Sequence, residues 1–183
     1  GHVTGVQTCA LPIYFETVSL MLRTPYVLVV NPAVEARTVP ELIALLKRRP
    51  GELSYGHSGP GSSLHLTGEL FQTMTGTRMN GVGYRGAVPA LRDVMAGHIP
   101  LMFADTGTAL AQIASGQVRA LGVSSISRVP AAPDIPTLAE SGIPGFDSVG
   151  WLIICAPAGT PKPIVDKLHA ELKTVAAIPE FEA

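Results

Sequence analysis

Three hydroxyls and two imidazoles, from His57, Ser58, Ser62, Ser63 and His65, are threaded among Gly56, Gly59, Pro60 and Gly61 in one short stretch. Side chains of these types at this spacing suit three kinds of chemistry. A phosphate-binding loop needs G-x-x-x-x-G-K-S/T, and the frame from Gly56 to Ser63 puts Ser62 where the lysine that reaches the terminal phosphates belongs. A nucleoside triphosphate site is therefore disfavoured. A nucleophile elbow needs G-x-S-x-G, and Gly56-His57-Ser58-Gly59-Pro60 ends in proline, which weakens Ser58 as a nucleophile with His57 or His65 as its base. The third chemistry is anion binding at a helix N-terminus. Glycines free the backbone for positive φ and close approach, Ser62 or Ser63 caps the helix, and backbone N–H groups with hydroxyls face the ligand. Without a fixed positive charge beside it, such a loop suits a carboxylate better than a polyphosphate. The bland alternative is a strand-to-helix turn that holds no ligand.

The loop needs a strand before it and a helix after it, and the flanking pattern supplies both. Leu53 to Gly56 reads as a strand, and Thr67, Leu70, Phe71 and Met74 share one face of a helix that stops at Gly76. The arrangement recurs twice. Met79 to Tyr84 leads through Tyr84-Arg85-Gly86-Ala87 into a helix carrying Val88, Leu91 and Met95. Ile99 to Ala104 leads through Asp105-Thr106-Gly107-Thr108 into one carrying Leu110, Ile113 and Ala114. Upstream, Val18 to Leu22 and Tyr26 to Val30 read as two strands parted by Thr24-Pro25, and Thr38-Val39-Pro40-Glu41 is a capping box for a short helix. Val118 to Ser124 is a further strand. This alternation predicts α/β layers with mostly parallel strands, in which ligands sit beyond the strands' carboxyl ends. The junctions at Ser58, Tyr84 and Asp105 are all of that kind and are expected to line one cleft. Pro130, Pro133, Pro136 and Pro144 mark a segment that reads as a connection between lobes rather than core. Val149 to Ala156 is then a strand, and Ile164, Leu168, Leu172 and Val175 line a last helix.

Bulk properties exclude several classes. A chain of 183 residues that is 46% hydrophobic folds, and a net charge of -1 gives no basic surface for nucleic acid or anionic membrane. Two cysteines without C-x-x-C spacing, and no His, Cys or carboxylate cluster with ligand spacing, give no metal site, and no cofactor is expected. No apolar run is long enough for a membrane-spanning helix. The first residues carry no Lys or Arg before an apolar stretch, so no signal peptide is read there. Val3 to Ile13 resembles a translated sequencing adapter, and 1–13 is set aside as non-native.

Several stretches, taken together and in order, carry a family resemblance. They are Pro25-Tyr26-Val27-Leu28-Val29-Val30, Val39-Pro40-Glu41-Leu42-Ile43, Pro50-Gly51-Glu52-Leu53-Ser54-Tyr55, the run from Ser58 to Leu66, Tyr84-Arg85-Gly86, Gly116 to Leu121, Pro133 to Gly142 and Ala156 to Pro161. On them the chain resembles the tripartite tricarboxylate transporter receptor family, also called Bug solute-binding proteins, from Tyr14 to its end. The resemblance implies a type II-like periplasmic binding protein fold with two α/β lobes, mixed sheets and a small carboxylate clamped between them. It implies no catalysis. It also implies delivery of the ligand to membrane transporter subunits and a periplasmic location for the full-length protein.

Residue by residue, the resemblance points to Ser58, Gly59, Gly61, Ser62 and Ser63 as the holder of one ligand carboxylate. His65 is either a structural histidine or a ligand contact. Tyr84 falls on the family's Pro-Tyr-Lys/Arg-Gly motif, with Gly83 in place of proline, and Arg85 suits a second carboxylate. Asp105 stands one place beyond the Asp that often follows Phe in the family and reads first as a helix cap. The expected division is 14–30 as the end of a lobe 1 segment, 31–123 as lobe 2, and 124–183 as the crossover and returning part of lobe 1. The opposing jaw of lobe 1 is expected outside this chain, and exposed apolar patches are expected with it. A serine hydrolase or transferase using Ser58, and a carboxylate-sensing module, are the alternatives.

Overall fold

A computed structural model describes residues 14–178, and the adapter-like stretch at 3–13 lies outside them. The described residues fall into two compact units, Thr24–Gly150 and a second built from 14–23 together with 151–178.

The alternation-free run at Tyr26 to Val30 ends the long strand β1 (Phe15–Val30) and is buried throughout. The expected break at Thr24-Pro25 is absent. Proline has no N–H to give a ladder, and Pro25 sits just before the registers with the neighbouring strands begin at Tyr26 and Val27, so neither loses a bond. Around β1 the larger unit arranges α1 (Val39–Arg48), β2 (Ser54–His57), α2 (Ser63–Thr75), β3 (Asn80–Gly83), α3 (Ala87–Ala96), β4 (Leu101–Asp105), α4 (Thr106–Ala114) and β5 (Arg119–Val123). The strand order is β3-β2-β4-β1-β5. β2 is parallel to both β3 and β4, whereas β1 runs antiparallel between β4 and β5, so the sheet is mixed.

Helix faces follow the apolar spacing, with shifts of one or two positions. Leu42, Leu45 and Leu46 of α1 are buried, as are Leu64, Thr67, Gly68 and Phe71 of α2 and Ala90, Leu91 and Val94 of α3, while Met74 and Val88 are exposed. Thr38 Oγ1 caps α1 by accepting the Glu41 N–H, and Glu41 returns a bond to the N–H of Arg37 rather than Thr38.

The proline-marked segment is core, not connection. Leu138, Ile143 and Phe146 are buried, and the Phe146 ring lies 6.5 Å from both Phe71 and Phe103. Its backbone is satisfied locally by a reciprocal box in which Thr137 Oγ1 accepts the Glu140 N–H and Glu140 Oε2 accepts the Thr137 N–H. Those two backbone N–H groups are thereby paired beside the buried apolar residues.

In the second unit, β6 (Val149–Pro157) pairs with β1, and α5 (Lys162–Ala176) joins them. A small cluster of Val18, Ala156 and Val165, with Leu172 against it, forms its interior. His169 Nδ1 lies 2.8 Å from the Val18 carbonyl oxygen. Trp151, Leu152, Ile154, Ile164 and Leu168 are exposed, so the expected apolar patch is present here.

Candidate functional site

Because β3, β2 and β4 are adjacent and parallel, their carboxyl ends share one edge, and Tyr84, Ser58 and Asp105 follow them there. Three helices begin at that edge. Ser62 has extended φ and ψ and accepts the His65 N–H at 3.3 Å, so it is the N-cap of α2. The N–H groups of Ser63 and Leu64 find no acceptor among the described residues, and α3 and α4 start with no side-chain cap. Unpaired N–H groups and the positive ends of the helix dipoles thus face the same space, which favours an anion.

The loop itself is held from below. Gly59 and Gly61 have φ of +119° and +75°, which favours glycine at both places. Their N–H groups do not point outward. Gly59 donates to His57 Nδ1 at 3.2 Å and Gly61 to His65 Nδ1 at 3.0 Å. An sp² nitrogen already takes each of these protons, and the two glycines supply the loop's shape. His65 is also held from its other side: its Nε2 lies 3.8 Å from Glu69 and its ring stacks on Tyr55. His57 is buried, and burial, with His65 alongside, holds it below its ordinary 6.5. No hydrogen bond joins Ser58 Oγ to either imidazole among the described residues, and both Nδ1 lone pairs are occupied, so the geometry does not favour an activated Ser58.

Tyr84 is also redirected. Its hydroxyl donates to Asp93 Oδ2 on α3 at 2.6 Å; burial and that carboxylate push it up to about 12. The Tyr84 hydroxyl and His98 in turn hold Asp93 below the usual carboxylate range. Arg85 is exposed and makes no ion pair among the described residues. Asp105 occupies the N-cap position of α4, but its side chain makes no cap bond. That overturns its reading as a cap, and its side chain makes no hydrogen bond among the described residues.

Sequence reasoning missed Tyr26. It is buried and pairs with Asp105 across the antiparallel register. Burial raises its pKa, the Ser63 side chain opposes this, and the Asp105 charge adds to the rise. Its N–H donates to Ser124 Oγ at 2.9 Å, Ser124 Oγ donates to the Ser148 carbonyl, and Ser148 Oγ is 2.7 Å from Thr67 Oγ1 on α2. One signal was available: Gly150 lies in a strand, where glycine marks a close approach, and a Cβ there would fall 2.1 Å from the Tyr26 hydroxyl.

This mixed sheet, with its helix starts gathered at one edge, has the fold of solved periplasmic binding proteins. R. palustris Rpa4515 with adipate superposes with a TM-score of 0.85 at 34% identity, over 92% of this chain and 56% of that one. MatC (Rpa3494) from Rhodopseudomonas palustris with bound malate does so with a TM-score of 0.84 at 28% identity, over 92% and 57%. The chain belongs to the family described as tripartite tricarboxylate transporter family receptor, whose profile matches residues 13–183. Protein BugT of Bordetella pertussis is 37% identical over 170 residues, 91% of this chain and 52% of BugT. The chain spans about half the length of the curated relatives it matches. Among the described residues no helix is long and apolar enough to cross a membrane.

Proposed function

We propose that this chain is the carboxylate-holding part of a periplasmic receptor that captures a small organic acid and passes it to the membrane subunits of a tripartite tricarboxylate-type transporter. The candidate ligands are di- and tricarboxylates, acidic amino acids and aromatic acids. The observation that carries the reading is the start of α2, where the Ser63 and Leu64 N–H groups find no acceptor among the described residues. Family membership supports it, as do the adipate and malate of the two structural neighbours.

Calorimetry of the intact polypeptide, as its gene encodes it, against adipate, malate, citrate, glutamate and benzoate tests the proposal. One of these acids is expected to bind, and Ser63→Ala is expected to weaken it about tenfold or more, the loss of one hydrogen bond to a charged group. Binding of none of them overturns the reading. Tyr84→Phe serves as the contrast. Because that hydroxyl is spent on Asp93, the variant is expected to keep affinity within about twofold, a change below ~0.5 kcal/mol. A tenfold loss in Tyr84→Phe would place the hydroxyl on the ligand instead.

A further inference from the structure

The loop that the proposed function makes a carboxylate holder is fastened by two touching rings. His57 and His65 lie with centroids 4.3 Å apart at 30°, and each receives one glycine N–H of the loop on Nδ1. A nitrogen that accepts an N–H must offer its lone pair, so both imidazoles are neutral here, with their protons on Nε2. Beyond these two bonds the loop's backbone ties are few: Ser62 N–H to the Gly59 oxygen at 3.2 Å, Leu66 N–H to the Ser62 oxygen at 2.9 Å, and Tyr84 N–H to the His57 oxygen at 2.8 Å.

The groups facing the rings give a protonated pair little support. From β2 comes the Tyr55 ring, 5.7 Å from His57 and 6.4 Å from His65. From β3 comes glycine backbone: a Cβ on Gly81 or Gly83 would lie 3.2 or 3.3 Å from the His57 ring. From α2 comes Glu69, the one carboxylate among the described residues to face them; its Oε1 lies 3.8 Å from His65 Nε2 and already accepts from the Tyr55 hydroxyl at 2.7 Å and Gln72 Nε2 at 2.8 Å. His57 itself is 3% exposed.

We infer that His57 and His65 are positioning residues that gate the ligand loop by pH: neutral rings hold Gly59 and Gly61, and protonation of either ring turns its Nδ1 from acceptor to donor and releases the loop. The inference rests on the loop being the carboxylate holder and adds how that holder is regulated. Burial, the largest cause, lowers His57 against the Gly59 backbone bond and Glu69, which work the other way, so the unfolded chain takes up that proton first and stability contributed by the neutral ring falls as pH drops below about 6.5.

The test is nuclear magnetic resonance on the intact polypeptide between pH 8 and 5, following the two imidazoles and the Gly59 and Gly61 amides, with adipate binding measured alongside. Expected is that both amides shift with the imidazole titration and that their hydrogen exchange, corrected for its intrinsic pH dependence, accelerates tenfold or more. Adipate affinity is expected to fall at least tenfold over the same range. In the double variant His57→Asn, His65→Asn, Oδ1 replaces Nδ1 as an acceptor that does not titrate. There the amides are expected to stay protected at pH 5, and any loss of affinity is that of adipate's own titration, common to both proteins. Glycine amides that stay protected in the unaltered protein, or a double variant with the same amide pH profile, overturn the gate. If the double variant fails to fold, the amide titration of the unaltered protein still decides. If adipate does not bind at pH 8, the probe fails while the ligand-independent amide titration still decides the gate; the wider acid panel decides the binding reading.

Discussion

Phe146→Ala is expected to lower the unfolding free energy of the intact polypeptide by about 3–5 kcal/mol, the usual cost of removing a fully buried aromatic ring. The Phe146 ring has no solvent exposure and completes a three-ring cluster. It stacks on Phe103 at 9° and meets Phe71 edge-on at 68°, while Phe71 and Phe103 lie 6.0 Å apart. Such pairs add about 0.5–1.5 kcal/mol beyond buried area, so losing two of them places the cost toward the upper part of that range. The consequence reaches the site. Phe71 is on α2, whose first turn carries Ser63, and Phe103 stands two residues before Asp105 on β4. Urea unfolding checks it: the midpoint should fall with the slope unchanged. A loss below about 1 kcal/mol would mean that the proline-marked segment is not core after all.

That segment shows where sequence reasoning ran out. Pro144, Gly145 and the scattered prolines carry local turn information, and turns form at several of them. What they do not encode is that one phenylalanine among them reaches across to two helix and strand residues far away in sequence. Burial of a single residue has no period to detect. The same limit applies to β1, whose antiparallel course between β4 and β5 depends on partners that no local pattern names.

The site divides along the same line. The Ser62 cap, the positive φ at Gly59 and Gly61, the αL stop at Gly76 and the shared edge of three junctions are consequences of residue type and order. They were legible. Which acceptor each glycine N–H finds, and that Tyr84 turns to Asp93, depend on the packing of separate elements. His57 and His65 were visible as residues, but two residues on a strand end and a helix turn become a ring pair only once β2 and α2 are packed. Tyr26 looked like the first residue of a buried strand, and only the register with β4 brings it opposite Asp105.

Gly68→Ala reverses an ordinary rule, and the reversal measures how tightly α2 sits on the sheet. Alanine in a helix interior normally gains about 1 kcal/mol over glycine, because it restricts the unfolded backbone. At Gly68 a Cβ would fall 2.3 Å from Tyr55 Cε2, 2.7 Å from Cζ and 3.0 Å from Cδ2, well inside contact distance. Tyr55 cannot swing aside freely: it is fully buried, and its hydroxyl is fixed to Glu69 at 2.7 Å. Overpacking of this kind costs about 1–3 kcal/mol and more where the neighbour is rigid, so a net destabilisation of about 2 kcal/mol is expected. Because Tyr55 also stacks on His65, the shift should loosen the ligand loop and weaken acid binding as well. A double-mutant cycle separates the clash from propensity. In a Tyr55→Leu background, where the ring is gone, Gly68→Ala should cost little or stabilise, giving a coupling of about 2 kcal/mol between the two positions. Stabilisation by Gly68→Ala in the unaltered sequence would show that helix α2 does not rest on the Tyr55 ring.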